Sequence, residues 1–161
     1  MKTFHLAAAI IAPLALIIVA GDAQAADNKW YSGLTCRRAT GFNFAPWAGT
    51  LINPSHTLAA EVFCPLVRDT SSISSASVQV FDRGGGVDNG GLFRCGISYE
   101  FVTNSEFFGF SDSDATSGPG TNMQTINLGA IAGGDYYYGY CVIPKVVSGW
   151  SHLVSWKVVE N

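Results

Sequence analysis

Four cysteines, three of them set in alternating apolar runs, constrain this sequence more than any other feature. In "TLAAEVFC", residues 57–64, Leu58, Ala60, Val62 and Cys64 fall on one face of a strand and Thr57 and Glu61 on the other. In "LFRCGISYE", residues 92–100, Phe93, Cys95, Ile97 and Tyr99 alternate against Arg94, Ser98 and Glu100. In "YYYGYCVI", residues 136–143, Tyr137, Gly139, Cys141 and Ile143 make the matching row. Cysteine on an inward strand face is placed to bridge another strand. Metal binding would want Cys or His ligands two to five residues apart, and a redox site would want Cys-x-x-Cys; neither spacing occurs. Cys36, Cys64, Cys95 and Cys141 allow three pairings. Cys36–Cys64 with Cys95–Cys141 is the expected one, because each bridge then holds a local pair of strands. Loops of those lengths stabilise by about 3.5 to 4 kcal/mol each at the upper end of the chain-entropy model. Proline follows Cys64 directly and Cys141 shortly after. Lacking an N–H, it is expected to end each strand or move it to an edge.

Disulfides need an oxidising compartment, and the N-terminus provides the address. Lys2 precedes an apolar stretch from Leu6 to Ala20, Gly21 breaks it, and Ala23-Gln24-Ala25 offers small residues where a signal peptidase cuts. The stretch is shorter than the roughly 20 residues that cross a bilayer. Residues 1–25 therefore read as a cleaved signal peptide and 26–161 as a single domain, exported to the periplasm or the extracellular space and not membrane-spanning. A net charge of −3 gives no electrostatic reason to expect nucleic acid.

Strand-like runs recur at about Trp30–Arg37, Gly49–Ile52, Thr57–Cys64, Ala76–Asp82, Leu92–Phe101, Glu106–Phe110, Met123–Leu128, Tyr136–Ile143 and Ser151–Val159. "RDTSSISS" (68–75) and "SDSDATSGPGT" (111–121) read as loops, and "DRGGGVDNGG" (82–91) as a hairpin connection. No helical period of useful length and no repeat is present in the mature part. The pattern predicts an all-β fold: a two-sheet antiparallel sandwich, jelly-roll-like, with two disulfides. An immunoglobulin-type sandwich is the alternative, but no Trp lies between Cys64 and Cys141 to match it.

"INPSHTLAAEVFCPLVRD", "SASVQVFDR", "YYYGYCVIP" and "SWKVVE" resemble a group of small exported bacterial proteins. In that group a strand ends in Cys-Pro, a later strand ends in Tyr-x-Cys-x-x-Pro, and the chain closes on a Val-Glu strand. The resemblance covers most of the mature chain and implies export and a sandwich. It brings no activity and no catalytic residues.

Candidates for chemistry are few. "GWSHL" (149–153) departs from a nucleophile elbow at Leu153, and no helix follows Ser151. His152 is expected to share a packed face with Trp150, Val154 and Trp156. Asp82, Asp88, Asp112, Asp114 and Asp135 sit in turn contexts, where Asp goes for backbone reasons, so no acid–base pair stands out. Asp112 and Asp114 form a weak calcium candidate, because hard oxygen ligands are one residue apart in a Gly-containing loop. The glycine is displaced from the helix–loop–helix pattern and the bidentate Glu is missing, so a solvated turn is the default. Arg37–Arg38 and Arg68–Asp69 read as exposed charges or turn ion pairs. No cofactor is expected.

The aromatics carry more information. Tyr136, Tyr138 and Tyr140 line one face of a strand whose other face holds Tyr137, Gly139 and Cys141. If that face is the outer one, three phenols form a surface suited to sugar rings; otherwise Tyr is simply a good strand residue. Trp47, Phe107, Phe108 and Phe110 pose the same question. The sequence thus predicts a non-catalytic exported binding module with an aromatic ligand face for carbohydrate. The alternative is a structural or protein-interaction domain of the cell envelope, with another envelope protein as partner and no small-molecule ligand.

Overall fold

The computed structural model describes residues 27–39, 45–67, 69, 72–84, 91–100, 110–132 and 136–160. The leader at 1–25, Arg68, the glycine-rich stretch 85–90 with Asp88, Phe107, Phe108 and Asp135 lie outside them, as do the side chains of Asp112 and Phe110.

Among the described residues the strands run in this order: β1 (Asn28–Ser32), β2 (Arg37–Arg38), β3 (Ala45–Trp47), β4 (Thr50–Ile52), β5 (Ala60–Leu66), β6 (Ser72–Phe81), β7 (Arg94–Glu100), β8 (Phe110–Ala115), β9 (Gln124–Leu128), β10 (Ile131–Ala132), β11 (Tyr136–Ile143) and β12 (His152–Glu160). They form two antiparallel sheets. One has five strands in the order β2-β5-β11-β7-β8. The other has seven, in the order β10-β6-β12-β4-β3, with β1 beside β12 and β9 beside β6. Apart from the β3–β4 and β7–β8 hairpins and the step from β9 to β10, each step along the chain crosses from one sheet to the other. That is the jelly-roll habit of a sandwich.

The sheets meet over one apolar core. The five-stranded sheet contributes Val62, Cys64, Cys95, Ile97, Gly139, Cys141 and Ile143; the seven-stranded sheet answers with Val78, Val80, Ile126, Leu153, Trp156 and Val158. Gly139 is the close approach between them. A Cβ there would lie 2.6 Å from the Trp156 indole, so only glycine lets that ring pack against β11.

The bridges are Cys36–Cys64 and Cys95–Cys141, and no cysteine is free. Both lie within the five-stranded sheet and join neighbouring strands. Cys95 and Cys141 sit directly opposite one another on β7 and β11. Cys36 stands one residue before β2 and continues its register onto Cys64 of β5.

Several boundaries differ from the sequence expectation, each for a physical reason. The run Trp30–Arg37 is broken by a 3-10 turn at Gly33–Thr35, capped by the Ser32 hydroxyl accepting from Leu34 N at 3.2 Å. There the chain leaves one sheet for the other, and any side chain at Gly33 would strike the Leu153 carbonyl. The "RDTSSISS" stretch is not all loop, because β6 begins at Ser72. The register between β6 and β12 shifts after Ile73, so Ile73 and Ala76 both face inward and the local alternation is lost. Ser74 at that bulge donates its hydroxyl to Val159 O at 2.9 Å. Cys64 does not end its strand either: β5 runs through Pro65 to Leu66. β2 pairs only with Val62 and Phe63, so at Pro65 the strand is an edge on that side, where a missing N–H costs nothing.

Candidate functional site

Strand alternation places Tyr136, Tyr138 and Tyr140 opposite the core-facing row of Tyr137, Gly139 and Cys141, on the outer face of the five-stranded sheet. Tyr136 is 61% exposed, and Tyr138 and Tyr140 are half-buried. On one side β5 lays Pro65 against Tyr138 and Phe63 against Tyr140. On the other β7 offers the small residues Ser98 and Gly96. Phe63 leans diagonally, its ring 5.3 Å from that of Tyr138 at 84°, an edge-to-face contact. Arg37 of β2 lies directly opposite Phe63. Arg37, Phe63, Pro65 and Tyr138 together line a shallow recess of about 310 Å³. That lies near the lower end of the roughly 300–1,000 Å³ range of small-ligand clefts. The tyrosines are thus unequal: Tyr138 forms a wall, Tyr140 flanks Phe63, and Tyr136 projects at the strand's start.

Phe63, Pro65 and Arg37 were not singled out as ligand-facing in the sequence. The signal was present in "EVFCPL", where Glu61, Phe63 and Pro65 alternate with the core row. That these residues flank the tyrosines follows from β5 pairing with β11, which no local pattern announces.

The other candidates fall elsewhere. Asp82 is fully buried, and both its oxygens are engaged. Oδ1 accepts from Gly84 N at 3.3 Å and the Ser151 hydroxyl at 3.2 Å; Oδ2 accepts from Phe93 N at 3.2 Å and the Thr116 hydroxyl. Ser151 Oγ also accepts from Arg83 N at 3.0 Å and Gly84 N at 2.8 Å. This arrangement fixes the loop after β6. His152 does not share a face with Trp156: a register shift between Leu153 and Ser155 sends Leu153 and Trp156 to the core and His152 to the outer face. Its Nδ1 lies 2.9 Å from the Thr50 hydroxyl. Burial, and then the Arg83 charge, push its pKa below the ordinary histidine value.

Asp112 and Asp114 belong to strand β8, not to a turn, which corrects the calcium-loop geometry expected of them. Asp114 is exposed, and its Oδ1 accepts from Ala115 N at 2.7 Å. The acids that do cluster among the described residues are Asp27, Asp69 and Glu160. Lys29 already fills their centre, with Nζ 2.8 Å from Asp69, 3.0 Å from Glu160 and 3.8 Å from Asp27. Burial works against the Lys29 charge, but the hydrogen bonds and charges of Asp69 and Glu160 outweigh it and hold the pKa above the ordinary lysine value.

No protein-family model matches the chain, and no curated protein is similar to it in sequence. Similarity appears at the level of the fold. The C-terminal CBM6 module of LamC, a marine laminarinase from Zobellia galactanivorans, superposes with a TM-score of 0.53 at 14% identity, over 84% of this chain and 100% of that one. The low-affinity xylan-binding module CBM86 from Roseburia intestinalis gives 0.50 at 13% identity, over 83% and 96%. The chain is a two-sheet β-sandwich of the kind these modules share. Its two disulfides fit an exported protein, and no helix among the described residues is long and apolar enough to cross a membrane.

Proposed function

We propose that this chain is an exported, non-catalytic glycan-binding module, acting in the periplasm or outside the cell, that takes a neutral polysaccharide on the outer face of its five-stranded sheet. The observation that carries this reading is the recess walled by Tyr138, Phe63 and Pro65 with Arg37 at its rim. A pyranose presents apolar C–H groups on its faces and hydroxyls around its edge. Stacked on a phenol, it buries the first and leaves the second for Arg37, the tyrosine hydroxyls and water. Two sandwich neighbours are carbohydrate-binding modules, which agrees with this use of the scaffold. One sugar ring on one exposed aromatic binds weakly, so a chain of sugars touching Tyr136, Tyr138 and Tyr140 in turn is the natural ligand.

Titration calorimetry of the purified protein with soluble β-glucan and xylan tests the reading. Tyr138→Ala should weaken binding about tenfold, equivalent to about 1.4 kcal/mol, while lowering folding stability by no more than about 1 kcal/mol. No binding of either polysaccharide by the wild type sinks the proposal. Capture of an envelope protein through the same face would put the protein-interaction reading in its place.

A further inference from the structure

The outer face of the opposite sheet carries a second aromatic cluster, built differently. The β3–β4 hairpin turns through Ala48 and Gly49, both at positive φ (47° and 82°). That turn suits a two-residue hairpin but strains an alanine, and left-handed backbone at a non-glycine residue persists only where its surroundings enforce it. Its effect is to hold Trp47 at the hairpin's end. The Thr50 hydroxyl donates to Trp47 O at 2.8 Å. Having one proton, it must then accept from Nδ1–H of His152. The His152 ring is thereby fixed between Trp47, at 5.5 Å, and Phe81, at 6.0 Å. Trp150 completes the cluster, its ring 5.8 Å from Trp47 at 73°. Trp47 is 52% exposed and Trp150 41%, so two indoles stand nearly at right angles and open to solvent.

Arg83 borders this corner. Its guanidinium lies over Phe81 at 5.7 Å from the ring centre, and its aliphatic stem packs beside Gly149, the residue before Trp150. Arg83 also lines a recess of about 390 Å³ with Pro119, Gly120, Thr121 and Ser148. Among the described residues no carboxylate forms an ion pair with it. Two exposed indoles, a shallow recess and the exposed Arg83 guanidinium thus lie around one corner of the molecule. We propose that this is a second saccharide site, selective for a pyranose bearing a carboxylate, that is, a uronate unit. The sugar ring stacks on an indole, and the carboxylate takes the Arg83 fork, whose paired N–H groups match it. The inference rests on the glycan-binding reading but uses none of the tyrosine face.

The test titrates oligogalacturonate, and the same oligosaccharide with its carboxyl groups reduced to alcohols, into wild type, Trp150→Ala, Arg83→Gln and Tyr138→Ala. The wild type should bind the uronate at least tenfold more tightly than the reduced sugar, and rising salt should erode that preference. Trp150→Ala should lose both ligands at this site. Arg83→Gln should lose only the preference for the acid, a readout that misfolding would not produce. Tyr138→Ala should leave uronate binding intact. Uronate binding that falls with Tyr138→Ala and survives Trp150→Ala overturns this site while leaving the first standing. Equal affinity for acid and reduced sugar overturns the role of Arg83. Failure of the wild type to bind either oligosaccharide overturns the site outright, whereas failure of β-glucan and xylan bears only on the tyrosine face.

Discussion

The two sheets of this sandwich are held together by different means. Both disulfides tie the five-stranded sheet, through Cys64, Cys95 and Cys141 on its strands and Cys36 just before β2, and the seven-stranded sheet contains no cysteine. In the seven-stranded sheet β6 and β12 run ten and nine residues side by side, and the central β12 carries Trp156 and Val158 into the core. The edge there is closed by an ion cluster in which buried Glu160 accepts from Lys29 and from Asp69 N. In the five-stranded sheet the edge strand β2 is only two residues long. Cys36–Cys64 holds it in place, and with it Arg37 beside Phe63. The second bridge joins strands that already pair along their length, so its effect lies chiefly in restricting the unfolded chain. Covalent links thus tie neighbouring strands of the five-stranded sheet, whereas the seven-stranded sheet relies on packing along β6 and β12 and on the ion cluster.

That contrast can be broken most forcefully at the second bridge. Replacing Cys95 and Cys141 together by serine, which leaves no stray thiol, should lower stability by about 2 to 5 kcal/mol. Denaturant unfolding monitored by circular dichroism measures it. A loss below about 1 kcal/mol would mean that the five-stranded sheet does not depend on its bridges.

The corresponding cut in the other sheet is Glu160→Ala. It strands the Asp69 N–H and leaves Lys29 without its buried partner, and should cost about 2 to 3 kcal/mol in the same measurement. If the variant matches wild type, the ion cluster is ornamental and packing alone closes that edge.

A smaller effect sharpens the comparison through pH. The depressed His152 pKa means that the unfolded chain takes up this proton first as pH falls. Its contribution to stability is therefore full above about pH 6.5, the ordinary histidine value, and is lost as pH drops from there toward the folded-state value. Thermal melts between pH 8 and 5 should show a decline in wild type that is shallower in His152→Gln. An equal decline in both variants would move the effect to another group.

Much of this fold was legible in the sequence, and the exceptions are instructive. The cysteine rows marked the inward strand faces of a sandwich, because that depends only on alternation along one strand, and the bridge pairing followed from keeping each link local. Ile73 with Ala76, and Leu153 with Trp156, were not readable as pairs on one face. A bulge shifts the phase in each case, and bulges are set by the neighbouring strand. Pro65 could have ended its strand or sat at an edge, and only the short reach of β2 decides for the edge. Asp112 and Asp114 looked like turn residues until β8 paired them against β7. The candidate site divides along the same line. The three tyrosines lay within one alternating run, whereas Phe63, Pro65 and Arg37 joined them only through strand order.

The four tryptophans give the molecule a built-in optical readout. Trp156, sealed over Gly139, emits from an apolar cage, and no ligand can reach it. Trp30, Trp47 and Trp150 emit from water, and two of these three form the corner beside Arg83. A sugar seated there would shield two indoles and move the emission to shorter wavelength. A sugar on the tyrosine face, where no tryptophan stands among the described residues, would leave the spectrum where it was. The colour of the bound protein's fluorescence therefore reports which sheet has been occupied.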